Sequence, residues 1–148
     1  MAGIIETPGQ QHPWLVIQPV TPAEAEGELL VSQEPLSFWG GYDALTGEII
    51  DRRHPLSGQC ALGKVLALPF TRGSSTTTAV LLEAVRRGTA PAALLSTGVD
   101  TFFALASLAA EELYGRPIPV FALAPQDFAR LESGRRVRLH PQGRLEFL

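Results

Sequence analysis

Three apolar runs in the second half of the chain, KVLALPF (64–70), AALLST (92–97) and IPVFAL (118–123), constrain the fold more than any other feature. Each is short, nearly uncharged and bounded by Gly, Pro or a turn, the pattern of a strand buried on both faces. Two segments with helical character separate them. TAVLLEAVRRG (78–88) has apolar residues at 80, 81, 82 and 85 and ends on Arg86, Arg87 and Gly88, which places cations at the negative end of a helix dipole. DTFFALASLAAEELYG (100–115) opens on Asp100 as an N-cap, most simply only a cap, and stops at Gly115. Two strand–helix–strand units in succession predict an α/β fold with a partly parallel central sheet and right-handed crossovers.

The rest of the chain predicts a second, antiparallel β layer. WLVIQPV (14–20) and GELLVS (27–32) read as strands on either side of TPAEAE. PQDFARLES (125–133) reads as a short helix, and RRVRLH and GRLEFL as two strands joined by the Pro141–Gly143 turn. The turn-rich segment LSFWGGYDALTGEIIDRRHPLSGQ (36–59) contains GEIID as a short strand. It also holds Trp39, Tyr42, Asp51 and His54, residue types that loops seldom carry together unless they are packed under something. Residues 1–12 read as a loose arm, leaving 13–148 as a single domain.

With 148 residues, 45% apolar and 18% charged, the chain can bury one core and lacks the composition of a disordered segment. A net charge of -3 gives no general attraction to phosphate backbones or anionic membranes, so neither nucleic acid nor a membrane is an expected partner. The Arg135, Arg136, Arg138 cluster reads as a solvated strand face. Cys60 is the only cysteine, so no intrachain disulfide and no cysteine-built metal cage can form within the chain; Cys60 itself reads as a small buried apolar group. A metal cluster would have to be held by another polypeptide. No apolar stretch approaches the roughly 20 residues that span a bilayer, and no leader pattern opens the sequence, which gives the cytoplasm as the expected location.

The turn TRGSSTTT (71–78) is the strongest candidate site. It falls where a buried strand meets a helix, at the carboxyl edge of the sheet, where open α/β folds place ligands. Gly73 permits close backbone approach, and the amides of a first helical turn lack intrahelical partners, so the corner attracts anions. Hydroxyls there can cap the helix, bind a carboxylate or phosphate, or act as a base if a cation stabilises the alkoxide, and Arg72 is the nearby cation. One cap needs one hydroxyl; five in a row, Ser74 to Thr78, exceed that need. The Gly-Lys-Ser/Thr ending of a phosphate-binding Walker loop is missing. His54 reads first as structural, with acid or ligand as alternatives. His12 and His140 read as surface residues without acidic partners in metal-ligand spacing, and Glu111 and Glu112 as solvated. The chain reads as half a site.

SFWGGYDALTGEIIDRRHPLSGQ, GKVLALPFTRGSSTTT, RRGTAPAALLSTGVD and AAEELYGRPIPVF, in that order and spacing, resemble the small subunit, or swivelling domain, of the aconitase X family over roughly residues 25–140. Thr71 departs from the Gly that the family commonly has before the Arg. The resemblance implies a swivelling β/β/α domain that closes over the active site of a large subunit, which holds an iron or iron–sulfur centre through its own cysteines. It implies dehydration of a small hydroxy acid, either cis-3-hydroxy-L-proline or phosphomevalonate. By the same resemblance Ser74 abstracts the proton alpha to the carboxylate while the metal draws off the hydroxyl. Arg72, Gly73 and Ser75 hold the substrate, and this chain binds no metal or cofactor itself. The low charge and the preference for Arg over Lys are unlike a heat-adapted archaeal chain and favour the hydroxyproline. Two other classes remain: a stand-alone anion-binding module without catalysis, and a purely structural subunit.

Overall fold

The computed structural model describes residues 14–72 and 76–148. In chain order the elements are β1 (Trp14–Val16), β2 (Gln18–Thr21), β3 (Ala25–Val31), β4 (Val65–Ala67), α1 (Thr76–Arg87), β5 (Ala93–Thr97), α2 (Thr101–Tyr114), β6 (Val120–Leu123), α3 (Pro125–Phe128), β7 (Arg136–His140) and β8 (Arg144–Phe147). The three apolar runs become β4, β5 and β6, paired in parallel with α1 and α2 as the crossovers, as the sequence predicts. Both sides of these strands are buried, and consecutive residues enter different cores. Val65, Ala67, Ala93, Leu95, Phe121 and Leu123 face one apolar cluster together with Leu139 and Leu145. Leu66, Leu94 and Val120 face another, built with Leu81, Ala84, Phe103 and Ala106 of the two helices.

The sheet runs in the order β1-β8-β7-β3-β4-β5-β6-β2. Only Ile17 separates β1 from β2, so both edges of that order belong to one stretch of chain and the sheet curls into a nearly closed barrel. Closure relieves the edge-strand problem, because one continuous stretch of chain bonds β8 through β1 and β6 through β2 and leaves only short edges. β3 makes the second corner: Ala25 to Glu28 pair antiparallel with β7, and Leu29 to Val31 pair parallel with β4. The expected antiparallel layer is therefore β1, β8, β7 and the first half of β3.

Two strand expectations need correction. WLVIQPV is two strands, because its first residues bond β8 and its later ones bond β6, with a register shift between Pro19 and Thr21. GEIID contributes only isolated bridges, Tyr42↔Ile49 and Glu48↔Cys60; the segment is shaped by the burial of Ile49 beside Leu36, Phe38 and Tyr42 rather than by a ladder. Of the residues that suggested a packed loop, Tyr42 and His54 are buried and Asp51 is half-buried, whereas Trp39 is exposed. Phe38 stacks on Tyr42 and meets Phe103 of α2 edge-on, and the Tyr42 hydroxyl donates to the Thr89 carbonyl at 2.8 Å.

Barrel closure passes through Gly143, whose carbonyl accepts from the Ile17 amide at 2.9 Å. At φ +107° a Cβ on Gly143 would sit 2.6 Å from the Ile17 carbonyl oxygen, whereas one on Gly134, at φ +91°, would meet nothing within 4 Å. Gly134→Ala should lose only the cost of a strained φ, about 1–3 kcal/mol. Gly143→Ala should lose clearly more in urea unfolding, and equal losses would show that this approach does not govern closure.

Candidate functional site

The carboxyl ends of β4 and β5 converge on one residue. Beyond β4 the chain passes through Leu68, Pro69 and Phe70 to Thr71 and Arg72; beyond β5 it passes through Gly98 and Val99 to Asp100. Asp100 is 8% exposed and caps α2, its Oδ1 accepting from the amides of Phe102 (3.0 Å) and Phe103 (3.1 Å). Its other oxygen, Oδ2, accepts from the Thr71 amide at 2.7 Å and the Thr71 hydroxyl at 2.9 Å. Four donors thus converge on this buried carboxylate, and each hydrogen bond replaces one lost to water on burial. Arg72 is anchored from the opposite side, its amide donating to the Leu36 carbonyl at 3.0 Å beside the Leu36↔Thr71 bridge, while its side chain is exposed.

Helix α1 begins at Thr76 with no acidic residue in its first turn, so nothing on the helix itself offsets the positive end of its dipole. Thr77 is buried there, and its hydroxyl has no hydrogen-bond partner among the described residues. At the far end Arg86 and Arg87 both bond Glu83, and the Arg86 hydrogen bond first, then that of Arg87, hold the Glu83 carboxyl down to about 2. Phe70 and Val99 leave exposed apolar surface at the sheet edge. A groove of about 540 Å³ lined by Trp39, Tyr42, Ile50, Ala79 and Val80 runs beside α1. Of the sequence-predicted site residues, Arg72 is brought to this edge; Gly73, Ser74 and Ser75 lie outside the described residues.

The other candidates sort clearly. His54 is structural: its Nδ1 accepts from the Leu56 amide at 3.1 Å, which leaves Nε2 to donate to the Glu34 carbonyl at 3.3 Å. His140 has an acidic neighbour after all, Glu146 at 3.1 Å across the β7–β8 hairpin. Arg136 and Arg138 both engage Glu26, and Arg135 lies 4.4 Å over the Phe147 ring, so the basic cluster serves strand pairing. Glu111 and Glu112 are exposed, and His12 lies outside the described residues. Among the described residues no group of three His, Cys, Asp or Glu is placed to hold a metal, and no helix is long and apolar enough to cross a membrane. Sequence reasoning found Asp100 as a cap and missed its hold on Thr71. The two residues are 29 positions apart, and no local spacing signals such a bond.

A family profile described as the aconitase X swivel domain matches residues 15–147. The chain is 44% identical over 138 residues to a Pseudomonas aeruginosa cis-3-hydroxy-L-proline dehydratase, covering 88% of this chain and 24% of that protein. It is 37% identical over 132 residues to the phosphomevalonate dehydratase small subunit of Methanopyrus kandleri, covering 87% of this chain and 93% of that one. Aconitase X of Thermococcus kodakaraensis, in its holo form, superposes with a TM-score of 0.83 at 30% identity, over 93% of this chain and 99% of that one. The chain thus spans about a quarter of the length of the Pseudomonas protein and nearly all of the archaeal small subunit.

Cys60 departs from its expected burial. It is exposed, and its thiol donates to the Thr46 carbonyl at 3.3 Å; the Glu48↔Cys60 bridge sets its backbone at the rim of the loop rather than under it. Native protein should therefore titrate one thiol with an aromatic disulfide reagent without denaturant. A thiol that reacts only after unfolding would contradict this placement.

Proposed function

The chain belongs to the aconitase X swivel-domain family, and from that premise we propose that it is the small subunit of a hydro-lyase that dehydrates a small hydroxy acid. Ser74 is the general base in this reading, taking the proton alpha to the substrate carboxylate. Arg72, Ser75 and the amides around Gly73 hold that carboxylate. A serine hydroxyl is a very weak acid, so its alkoxide needs several charge-assisted contacts, and the Arg72 guanidinium and the positive end of α1 provide part of that stabilisation. One observation carries the reading: Arg72 is pinned at the carboxyl edge of the parallel strands, side chain exposed, just ahead of a helix whose first turn has no acid.

The donor set of this chain does not fit an iron or iron–sulfur centre. Its single cysteine is exposed and bonded to a carbonyl, and the described residues offer no cluster of ligands. Departure of the hydroxyl therefore falls to groups on a large partner. The lengths of the relatives support such a partner, since the matching region is a fraction of the Pseudomonas dehydratase and almost the whole of a protein named a small subunit. Closure of the small domain over that partner would exclude water and complete the catalytic set.

The favoured substrate is cis-3-hydroxy-L-proline. Arg72 is the only cation in the described segments leaving β4, β5 and β6 (68–72, 97–100, 123–125), enough for one carboxylate. Phosphomevalonate carries a phosphate as well and would need a further cation from the partner. The greater identity to the hydroxyproline enzyme points the same way.

Co-expression with the large subunit encoded by the same organism, followed by dehydration assays on both acids, tests the reading. The complex should dehydrate cis-3-hydroxy-L-proline, neither subunit should do so alone, and Ser74→Ala should lower kcat by about 10²–10⁴-fold, the share of a general base. A fully active Ser74→Ala complex would reduce the chain to a structural subunit. Tight binding of a small carboxylate by this chain alone, with no lyase activity in the complex, would favour the anion-binding module.

A further inference from the structure

We propose that Asp100 is a positioning residue, holding Thr71 and with it Arg72 at the carboxyl edge of the sheet; this rests on the reading of that edge given above. Capping α2 needs one side-chain acceptor, and Oδ1 of Asp100 already serves both Phe102 and Phe103. Among the described residues Oδ2 is taken up by Thr71, whose amide and hydroxyl both donate to it. The hydroxyl lies within reach of Oδ1 as well, at 3.2 Å. Such a carboxylate joins the amino end of one crossover helix to the backbone that leads into the other. Thr71 is bonded directly to Arg72, and the Arg72 amide is held by Leu36, so the residue that presents the cation is fixed from two sides by groups that never touch substrate.

The two oxygens make the role separable from capping. An asparagine side chain has a single acceptor oxygen, and its amide group donates. Asp100→Asn therefore keeps a good N-cap for α2 and turns an NH₂ toward Thr71, where two donors already point. Thr71→Val removes the hydroxyl from the other partner and leaves α2 capped. Thr71→Ser keeps it.

The experiment has two arms. Hydrogen exchange on the isolated full chain should show faster exchange of the Thr71 and Arg72 amides in Asp100→Asn, with the body of α2 still protected. In the co-expressed complex Asp100→Asn should lower kcat by about 10–100-fold with a smaller change in KM, the size expected when a supporting shell lets a reacting group drift. Thr71→Val should lose activity in the same direction, and Thr71→Ser should restore most of it. Unchanged exchange at Thr71 and Arg72 would overturn the proposal, and so would a loss of protection spread evenly through α2, which is the signature of a cap alone. A wild-type complex inactive on both acids would sink the functional reading instead, and the exchange arm would still decide whether Asp100 holds Arg72.

Discussion

Double burial of β4, β5 and β6 is the constraint from which the other parts take their positions. Side chains alternate along a strand, so each of these strands must satisfy two cores at once, and the cores want different shapes. The barrel interior takes Val65, Ala67 and Ala93 around the bulk of Phe121. The helix side takes Leu66, Leu68 and Leu94 against Leu81 and Phe103. A slip by one residue would exchange the two sets, driving leucines into space filled by alanines and leaving voids under the helices. Each fully buried Leu or Phe is worth about 1.5–3 kcal/mol, so several misplaced at once exceed the whole stability of a domain this size. Register is thereby fixed, and with it the height at which each strand ends. The positions of Thr71 and Asp100 follow from that.

Two pieces of chain are shared between sheets, and they account for the barrel. β3 leaves its antiparallel partner for a parallel one at mid-strand, and the β1–β2 stretch leaves β8 for β6 on either side of Ile17. A strand that changes partners must bend, and the space for bending comes from residues without side-chain bulk. Gly27 lies at the β3 corner, where a Cβ would meet the Gly63 carbonyl at 2.9 Å. The long loop before β4, anchored by Tyr42 on Thr89 and by Phe38 on Phe103, covers the helical side.

How much of this the sequence exposed depends on how local the cause is. The parallel strands, both crossover helices, the Asp100 cap, the Gly115 stop and the final hairpin are written in short windows of periodicity and turn chemistry, and the structure has them. The split of WLVIQPV was hidden because it is imposed by partners far along the chain, β6 and β8, which no local window contains. GEIID failed as a strand because Ile49 is held by burial, which a five-residue pattern cannot distinguish from pairing. Cys60 was misjudged from the usual burial of free cysteine, although its Gly-Gln neighbours lie in an exposed turn. Residue types alone made Arg72 a candidate, while the hold of Asp100 on Thr71 depends on two strand ends meeting, a fact of topology. The Thr that stands at position 71 supplies a hydroxyl that the carboxylate uses.

A carboxylate is an odd support for an edge proposed to hold an anionic substrate, because an unscreened negative charge beside Arg72 would oppose the binding of a second one. Its hydrogen bonds answer that objection. Four donors from Thr71, Phe102 and Phe103, with the amino end of α2, face the Asp100 carboxylate and offset a negative charge there. A neutral amide would avoid the repulsion altogether but has too few acceptors for the task. The arrangement thus trades a small electrostatic penalty for a fixed backbone. That exchange is favourable wherever an error of about 1 Å in a reacting group costs on the order of a hundredfold in rate. What the chain shows is geometry: two strand ends tied together by one buried acid, with an exposed arginine beside the tie.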